Sequence, residues 1–186
     1  MTWQASRPVP WTFAAVRIDN KPLLRPLRVL IVRRTAECCE VTLEFREPGK
    51  SQLAIPVVPA RWSSQAEPVR PMLVSDGGGS PSFSMQYDAT IVPSTKRLDV
   101  PAGEDGEEVA IAVLRSDGSA SAFGAESYAF LDWKNPDWEL KRQVYRVTVR
   151  ARASGVSKSC RFDLDNLAPD FAKFSRLEET PRRIAS

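Results

Sequence analysis

Residues Tyr145 to Ala153 read Tyr-Arg-Val-Thr-Val-Arg-Ala-Arg-Ala, apolar and polar side chains alternating without a break. Tyr145, Val147, Val149, Ala151 and Ala153 share one face, and Arg146, Thr148, Arg150 and Arg152 share the other. A period of two marks a strand with one buried and one wet face, as in an antiparallel sheet. After a turn at Gly155, Cys160, Phe162 and Leu164 alternate with Arg161 and Asp163, which predicts the second arm of a hairpin. Cys39, Val41, Leu43 and Phe45 alternate with Glu40, Thr42 and Glu44 in the same way, and Pro48-Gly49 closes that strand with a turn signal.

Weaker patterns fill the rest. The first twelve residues, with Pro8 and Pro10, read as a loose lead. Phe13 to Ile18 predicts a first strand with Val16 and Ile18 inward. Leu27 to Val32 is either an edge strand or a continuation of the first strand past a bulge. Leu53 to Trp62 carries Pro56 and Pro59 and so belongs at an edge, with Trp62 placed to plug a core. Ser63 to Ser82, rich in Ser, Pro and Gly, predicts a long loop. Phe83 to Ile91, Lys96 to Val100 and Val109 to Leu114 are further strands, the last with Val109, Ile111 and Val113 on one face. A small-residue loop opens at Gly118, and Ser127 to Leu131 follows as a short segment before the Asn135-Pro136 turn. Residues 167–186 read as a tail with a short helical turn near Asp170 to Arg176. The expectation is an all-β antiparallel sandwich of seven to nine strands over residues 13–166, with a core of Val16, Ile18, Cys39, Val41, Leu43, Trp62, Val109, Ile111, Tyr145, Val147, Val149, Phe162 and Leu164.

Composition fits this picture. A domain of roughly 150 residues buries about 70% of its unfolded surface and needs no metal or disulfide to hold a core. The fifteen prolines sit mostly between the apolar runs, as turn-rich β chains require. No apolar run is long enough to span a membrane, and Met1 to Pro8 lacks the basic start and apolar centre of a signal peptide, so a cytoplasmic location is expected, with a soluble piece of a longer protein as the alternative. Cys38 and Cys39 are neighbours on a strand and face opposite ways, so they are poorly placed to bond each other. Cys39 and Cys160 both face inward and are expected to be free thiols rather than a disulfide.

Chemistry is narrowed mainly by what is missing. The chain has no histidine, which removes Ser-His-Asp and Cys-His nucleophile systems. Cys38-Cys39 lacks the spacing that converges two thiolates on zinc. Gly77-Gly78-Gly79-Ser80 has no following Lys-Ser/Thr, so a phosphate loop is not expected. The acids around Glu104, Asp105, Glu107 and Glu108 read as a solvated hairpin tip. Neither a cofactor nor a catalytic residue is assigned. A hydrolase built on carboxylates such as Glu126 and Asp132 remains the enzymatic alternative. Trp133 and Trp138, flanking Asn135-Pro136-Asp137, are read as a core plug and a cap, with a sugar platform as the alternative.

Charge is distributed unevenly. From Lys141 to Arg161 there are seven basic residues and no acid, while from Asp99 to Glu108 there are five acids and no base. Arg146, Arg150, Arg152 and Arg161 form a candidate interaction surface for nucleic acid or another anionic ligand. The favoured reading is that these arginines solvate the outer face of a sheet and pair with Glu40 or Glu44 if those strands are neighbours. No aromatic alternates with them, so base stacking is unsupported.

The order of features resembles an immunoglobulin-like sandwich: Cys39-Glu40-Val41-Thr42-Leu43 on an early strand, Trp62 after it, Tyr145-x-Val147-x-Val149 late and Cys160-x-Phe162-x-Leu164 last. It is similar to immunoglobulin-like and fibronectin-type domains, including ones that end prokaryotic proteins. An antibody-type domain carries its second cysteine two residues after the late tyrosine, and here that residue is Val147. The resemblance implies a non-catalytic binding or scaffolding module that engages another protein, as an accessory part of a larger assembly, through its end loops or an edge strand.

Overall fold

The computed structural model describes residues 11–20, 35–74, 82–103, 105–153 and 155–167, with the backbone of Phe174–Arg176. The protein is mostly β, 53% strand against 11% helix. The strands are β1 (Thr12–Ile18), β2 (Ala36–Arg46), β3 (Val58–Pro59), β4 (Val69–Val74), β5 (Ser82–Tyr87), β6 (Arg97–Val100), β7 (Glu107–Leu114), β8 (Ala120–Ala122), β9 (Glu139–Leu140), β10 (Val144–Ala153), β11 (Val156–Asp165) and β12 (Phe174–Arg176). This exceeds the seven to nine expected because β3, β8, β9 and β12 are only two or three residues long. Such fragments are too short to show a period.

Three antiparallel sheets result. One has the order β1-β7-β8-β9, a second β12-β11-β10-β2-β3 with β6 also on β2, and a third is the hairpin β4-β5. The long strands pair as their alternation requires: Val147 lies between Phe45 and Phe162, and Val149 between Leu43 and Cys160. The first two sheets share one core, in which Leu43, Phe45, Val58, Trp62, Val109, Ile111, Val147 and Leu164 are fully buried. Val16, Ile18 and Phe162 are partly buried at its edge. Trp62 ties the sheets together: its indole Nε1 donates to the Cys39 carbonyl at 3.0 Å, while its backbone bridges to Val109.

Several expectations change. Val113 does not share a face with Val109 and Ile111. Ala14 pairs with Ala112 and Ala15 with Ala110, so Ile111 is an extra residue in β7 and the phase flips after it. Ala112 and Leu114 then join the main core, while Ala110 and Val113 turn to the opposite face. The stretch read as a long loop contains β4, paired with β5 along its whole length. Ala120–Ala122, read as loop, is a fully buried strand. Ser127 to Leu131 lies in and between two 3-10 turns, Ala125–Ala129 and Leu131–Trp133. Phe174–Arg176 adds a strand to β11 where a helical turn was expected. Gly124 permits the first of those turns to approach β3, because a Cβ there would meet the Pro59 carbonyl oxygen at 2.5 Å. The lead 1–10, Leu27 to Val32 and Gly77 to Gly79 lie outside the described residues.

All three cysteines are free thiols. Burial pushes the Cys39 thiol above its usual pKa. Cys38 sits at positive φ in an irregular turn of β2, where its N–H donates to the Asp99 carboxylate at 2.7 Å.

Candidate functional site

The arginine stripe lies on the outer face of the six-stranded sheet, and β2 is indeed beside β10. Arg150 stands opposite Thr42 and Arg152 opposite Glu40. Glu44 is held between two guanidinium groups, Arg46 at 2.6 Å and Arg150 at 3.4 Å. The bond from Arg46, with the charge of Arg150, holds the Glu44 carboxyl below the usual carboxylate range against the opposing effect of burial. Arg146 reaches Asp163 at 3.5 Å, and Arg97 of β6 takes Glu40 at 2.6 Å. Thr148 is buried on this outward face, between neighbours whose long aliphatic stems cover the sheet. Arg152 and Arg161 are exposed and have no ion pair among the described residues. The stripe is therefore an alternating charge lattice with two spare cations, not a continuous basic track.

On the outer face of the other sheet the β7 bulge sets a second apolar cluster. Ala110, Val113 and Phe123 are buried there, with Tyr128 and Trp133 packed on them. Phe13 meets Phe123 edge-on at 5.2 Å, and Trp11 packs against Trp133 with ring centres 4.3 Å apart and planes tilted by 53°. Trp138 is buried in the main core. The two tryptophans thus separate into a plug and a half-buried cap.

Arg115 holds this cap in place, and sequence reasoning passed over it. Its side chain is buried and donates from Nε to the Asp132 carbonyl at 2.7 Å, and from Nη2 to the Trp133 carbonyl at 2.7 Å and Ser121 Oγ at 2.9 Å. Both residues it grips have positive φ, 53° at Asp132 and 57° at Trp133, a conformation that costs a bulky residue free energy unless its surroundings hold it. Burial lowers the pKa of Arg115 below its ordinary value, opposed by Asp117, Asp132 and Glu139. A lone Arg between β7 and a Ser-Asp-Gly turn gives no sequence signal of such a clamp.

Beside this cap, the Arg61 guanidinium lies 5.6 Å from the Tyr128 ring centre, and the Tyr128 hydroxyl donates to Glu67 at 3.2 Å. Burial pushes the Tyr128 phenol up to about 12. Of the two acids considered for catalysis, Glu126 is engaged by Lys96 at 2.5 Å, and Asp132 serves through its backbone carbonyl. Among the described residues no three His, Cys, Asp or Glu side chains are grouped to hold a metal ion. No described helix is long and apolar enough to cross a membrane. Two adjoining hollows of about 310 and 260 Å³ lie where β1 meets β10 and β11, walled by Ile18, Ala151 and Phe162 with Lys158 and Asp19 at the rim.

The third surface is the β4–β5 hairpin. Its register opposes Val69 to Tyr87, Pro71 to Met85 and Leu73 to Phe83. Directly opposed side chains share a face and alternate along each strand, so all six are on one side. The other side holds Arg70, Met72, Val74, Ser82, Ser84 and Gln86. The root is fixed: Pro68 is buried, its carbonyl accepts from Asp88 N at 2.8 Å, and Arg70 pairs with Asp88 at 3.5 Å. Beyond the root, Leu73 is 60%, Phe83 79% and Met85 62% exposed. Neither strand pairs with the larger sheets.

No family model, curated protein or solved structure matches this chain.

Proposed function

We propose that the chain is an immunoglobulin-like β-sandwich acting as a non-catalytic, protein-binding module, with the β4–β5 hairpin as its contact. One observation carries this reading: the hairpin projects an uncharged apolar face whose outer residues stay in water. Leu73, Phe83 and Met85 leave about 400 Å² of apolar side chain uncovered, in the range where the largest patch on a monomer is often functional. A two-stranded hairpin is marginally stable alone, so a cover over that face would stabilise both the hairpin and the complex. The order of the long strands and the shared core beneath Trp62 support the sandwich reading.

A photoreactive residue in place of Phe83 tests it in the native host. A discrete crosslinked protein adduct is expected from Phe83 and none from Ser159 on the outer face of β11. Equal labelling at both positions, or none at Phe83, would refute the contact. Nucleic-acid binding through Arg152 and Arg161 is the weaker reading, because their neighbours Arg46, Arg97, Arg146 and Arg150 are already engaged by carboxylates.

A further inference from the structure

We infer that the seam between the two larger sheets binds an amphipathic small molecule, an alkyl carboxylate whose chain lies in the hollows between β1 and the β10–β11 pair and whose head meets Lys158. The site is separate from the β4–β5 hairpin, and its test does not depend on that surface. The inward face of β10 explains why there is space. It runs Tyr145, Val147, Val149, Ala151 and Ala153; the first three are buried, whereas the two small alanines are only partly covered. In β11, Lys158 stands opposite Ala151 and Cys160 opposite Val149. Directly opposed residues share a face, so Lys158 lies on the core side of its sheet. The hollows of about 310 and 260 Å³ have Ile18, Asp19, Ala151 and Lys158 in common. Together they fall within the roughly 300–1,000 Å³ of small-molecule sites, which are mostly apolar with a few placed polar groups.

Shape and charge choose the ligand. Along β11 the walls run from Val156 to Phe162, about 20 Å at roughly 3.3 Å per residue, in a gap between sheets that pack about 10 Å apart. A long, narrow groove walled by Val16, Ile18, Val149 and Phe162 suits an extended alkyl chain better than a compact ring. Of the cations on its rim, Arg17 is already paired, with Asp19 at 3.4 Å and Asp105 at 3.2 Å. Lys158 has no ion pair among the described residues. An ammonium beside wet apolar walls without a counter-charge favours an anionic head, to which it donates charge-assisted hydrogen bonds. One spare cation matches a singly charged head, and Asp19 on the same rim disfavours a more highly charged one. A carboxylate meets both conditions.

Calorimetric titration of the full chain with decanoate, below its micelle-forming concentration, tests this. Saturable binding of about one decanoate per chain is expected, with the negative heat-capacity change of apolar burial. Lys158→Met keeps the aliphatic stem but removes the charge, so decanoate affinity should fall about tenfold or more, while decanol affinity changes by less than about twofold. Ala151→Phe fills the groove and should abolish binding of both probes. Ala153→Leu provides a milder obstruction if Ala151→Phe alters folding, and melting curves verify that each variant is intact. Arg152→Gln, on the outer face of the same sheet, should change decanoate affinity by less than about twofold. Absence of saturable binding by the intact chain overturns the inference, including the case in which the chain's own residues 21–34, which join Asn20 to Thr35 on the rim, occupy the groove. Binding that survives the obstructions in intact variants overturns it as well. An inward lysine can also serve solely to discourage edge-to-edge pairing of strands; Lys158→Met would then leave decanoate affinity unchanged, and the inference falls.

Discussion

Replacing Arg115 by Met is the most informative single perturbation outside the hairpin. Met keeps the aliphatic length but removes three hydrogen bonds, two of them to the carbonyls of Asp132 and Trp133 at 2.7 Å. Bonds to a charged donor contribute about 1.5–3 kcal/mol each. Losing all three would cost about 4.5–9 kcal/mol, and relief from keeping a guanidinium out of water returns a large part of that. A net loss of about 2–4 kcal/mol is expected, a large share of the 5–15 kcal/mol typical of a whole domain. Arg115→Lys preserves the charge but not the fork, so it should fall between. Urea unfolding gives the magnitude, and amide exchange at residues 131–134 gives the location. Without the clamp, the positive-φ pair should open and exchange faster than β10. A loss below about 0.5 kcal/mol, or unchanged exchange at Trp133, would show that the turn holds itself and that the clamp argument is wrong.

Val147→Asp buries a carboxylate in a fully enclosed site between Phe45 and Phe162; it should abolish the cooperative melt, and a retained near-parent melt would refute the core assignment. Glu44 titrates below its ordinary value in the folded chain, so its contribution is complete above the unfolded carboxylate range and is lost as pH falls through the lower folded value. Glu44→Gln should therefore reduce the decline of stability with acid below about pH 4, and an unchanged slope between parent and variant would show that Arg46 and Arg150 do not hold the carboxylate. Changing Arg146, Arg150 and Arg152 together to Gln should cost no more than about 2 kcal/mol, since exposed pairs contribute about 0–1 kcal/mol each. Steeply salt-dependent binding of the parent to DNA or RNA, lost in this variant, would instead favour the phosphate-binding reading.

How much was legible depended on whether each strand has one dry side. In β2, β10 and β11 the core lies on one face and water on the other, so Leu43, Val147 and Leu164 alternate with charges and can be read directly. In β7 both faces are covered: Val109 and Ile111 face the main core, while Ala110 and Val113 face the aromatic cap. A run such as Val-Ala-Ile-Ala-Val-Leu then loses its polar half-period, and a bulge within it leaves no trace. β8, Ala-Ser-Ala, is enclosed but made of side chains too small to register as apolar. Trp62 was legible as a plug because a large aromatic after an interrupted edge has few other places to go. The Arg115 clamp was not, since its acceptors are backbone carbonyls 17 and 18 residues away, set by turn geometry that no side-chain pattern encodes.

The hairpin was misread for a different reason, and that reason bears on function. A strand is recognised in sequence by apolar positions that the fold hides, yet β5 alternates without hiding them, and β4, Val-Arg-Pro-Met-Leu-Val, has Arg70 as its one polar side chain and so shows no period. Val69, Pro71 and Leu73 oppose Tyr87, Met85 and Phe83, a complete apolar face on which Leu73, Phe83 and Met85 stay exposed. Pro71 and the surrounding Ser and Gly content then made the stretch look like a loop. A core strand gains stability from burial within its own chain. Here no described residue buries the outer half of that face, and the opposite side mixes Met72 and Val74 with Arg70, Ser82, Ser84 and Gln86. Local pattern and environment disagree along β5, whose Phe83 and Met85 are exposed, while agreeing along β2 and β10. Disagreements of that kind are where functional surfaces are expected.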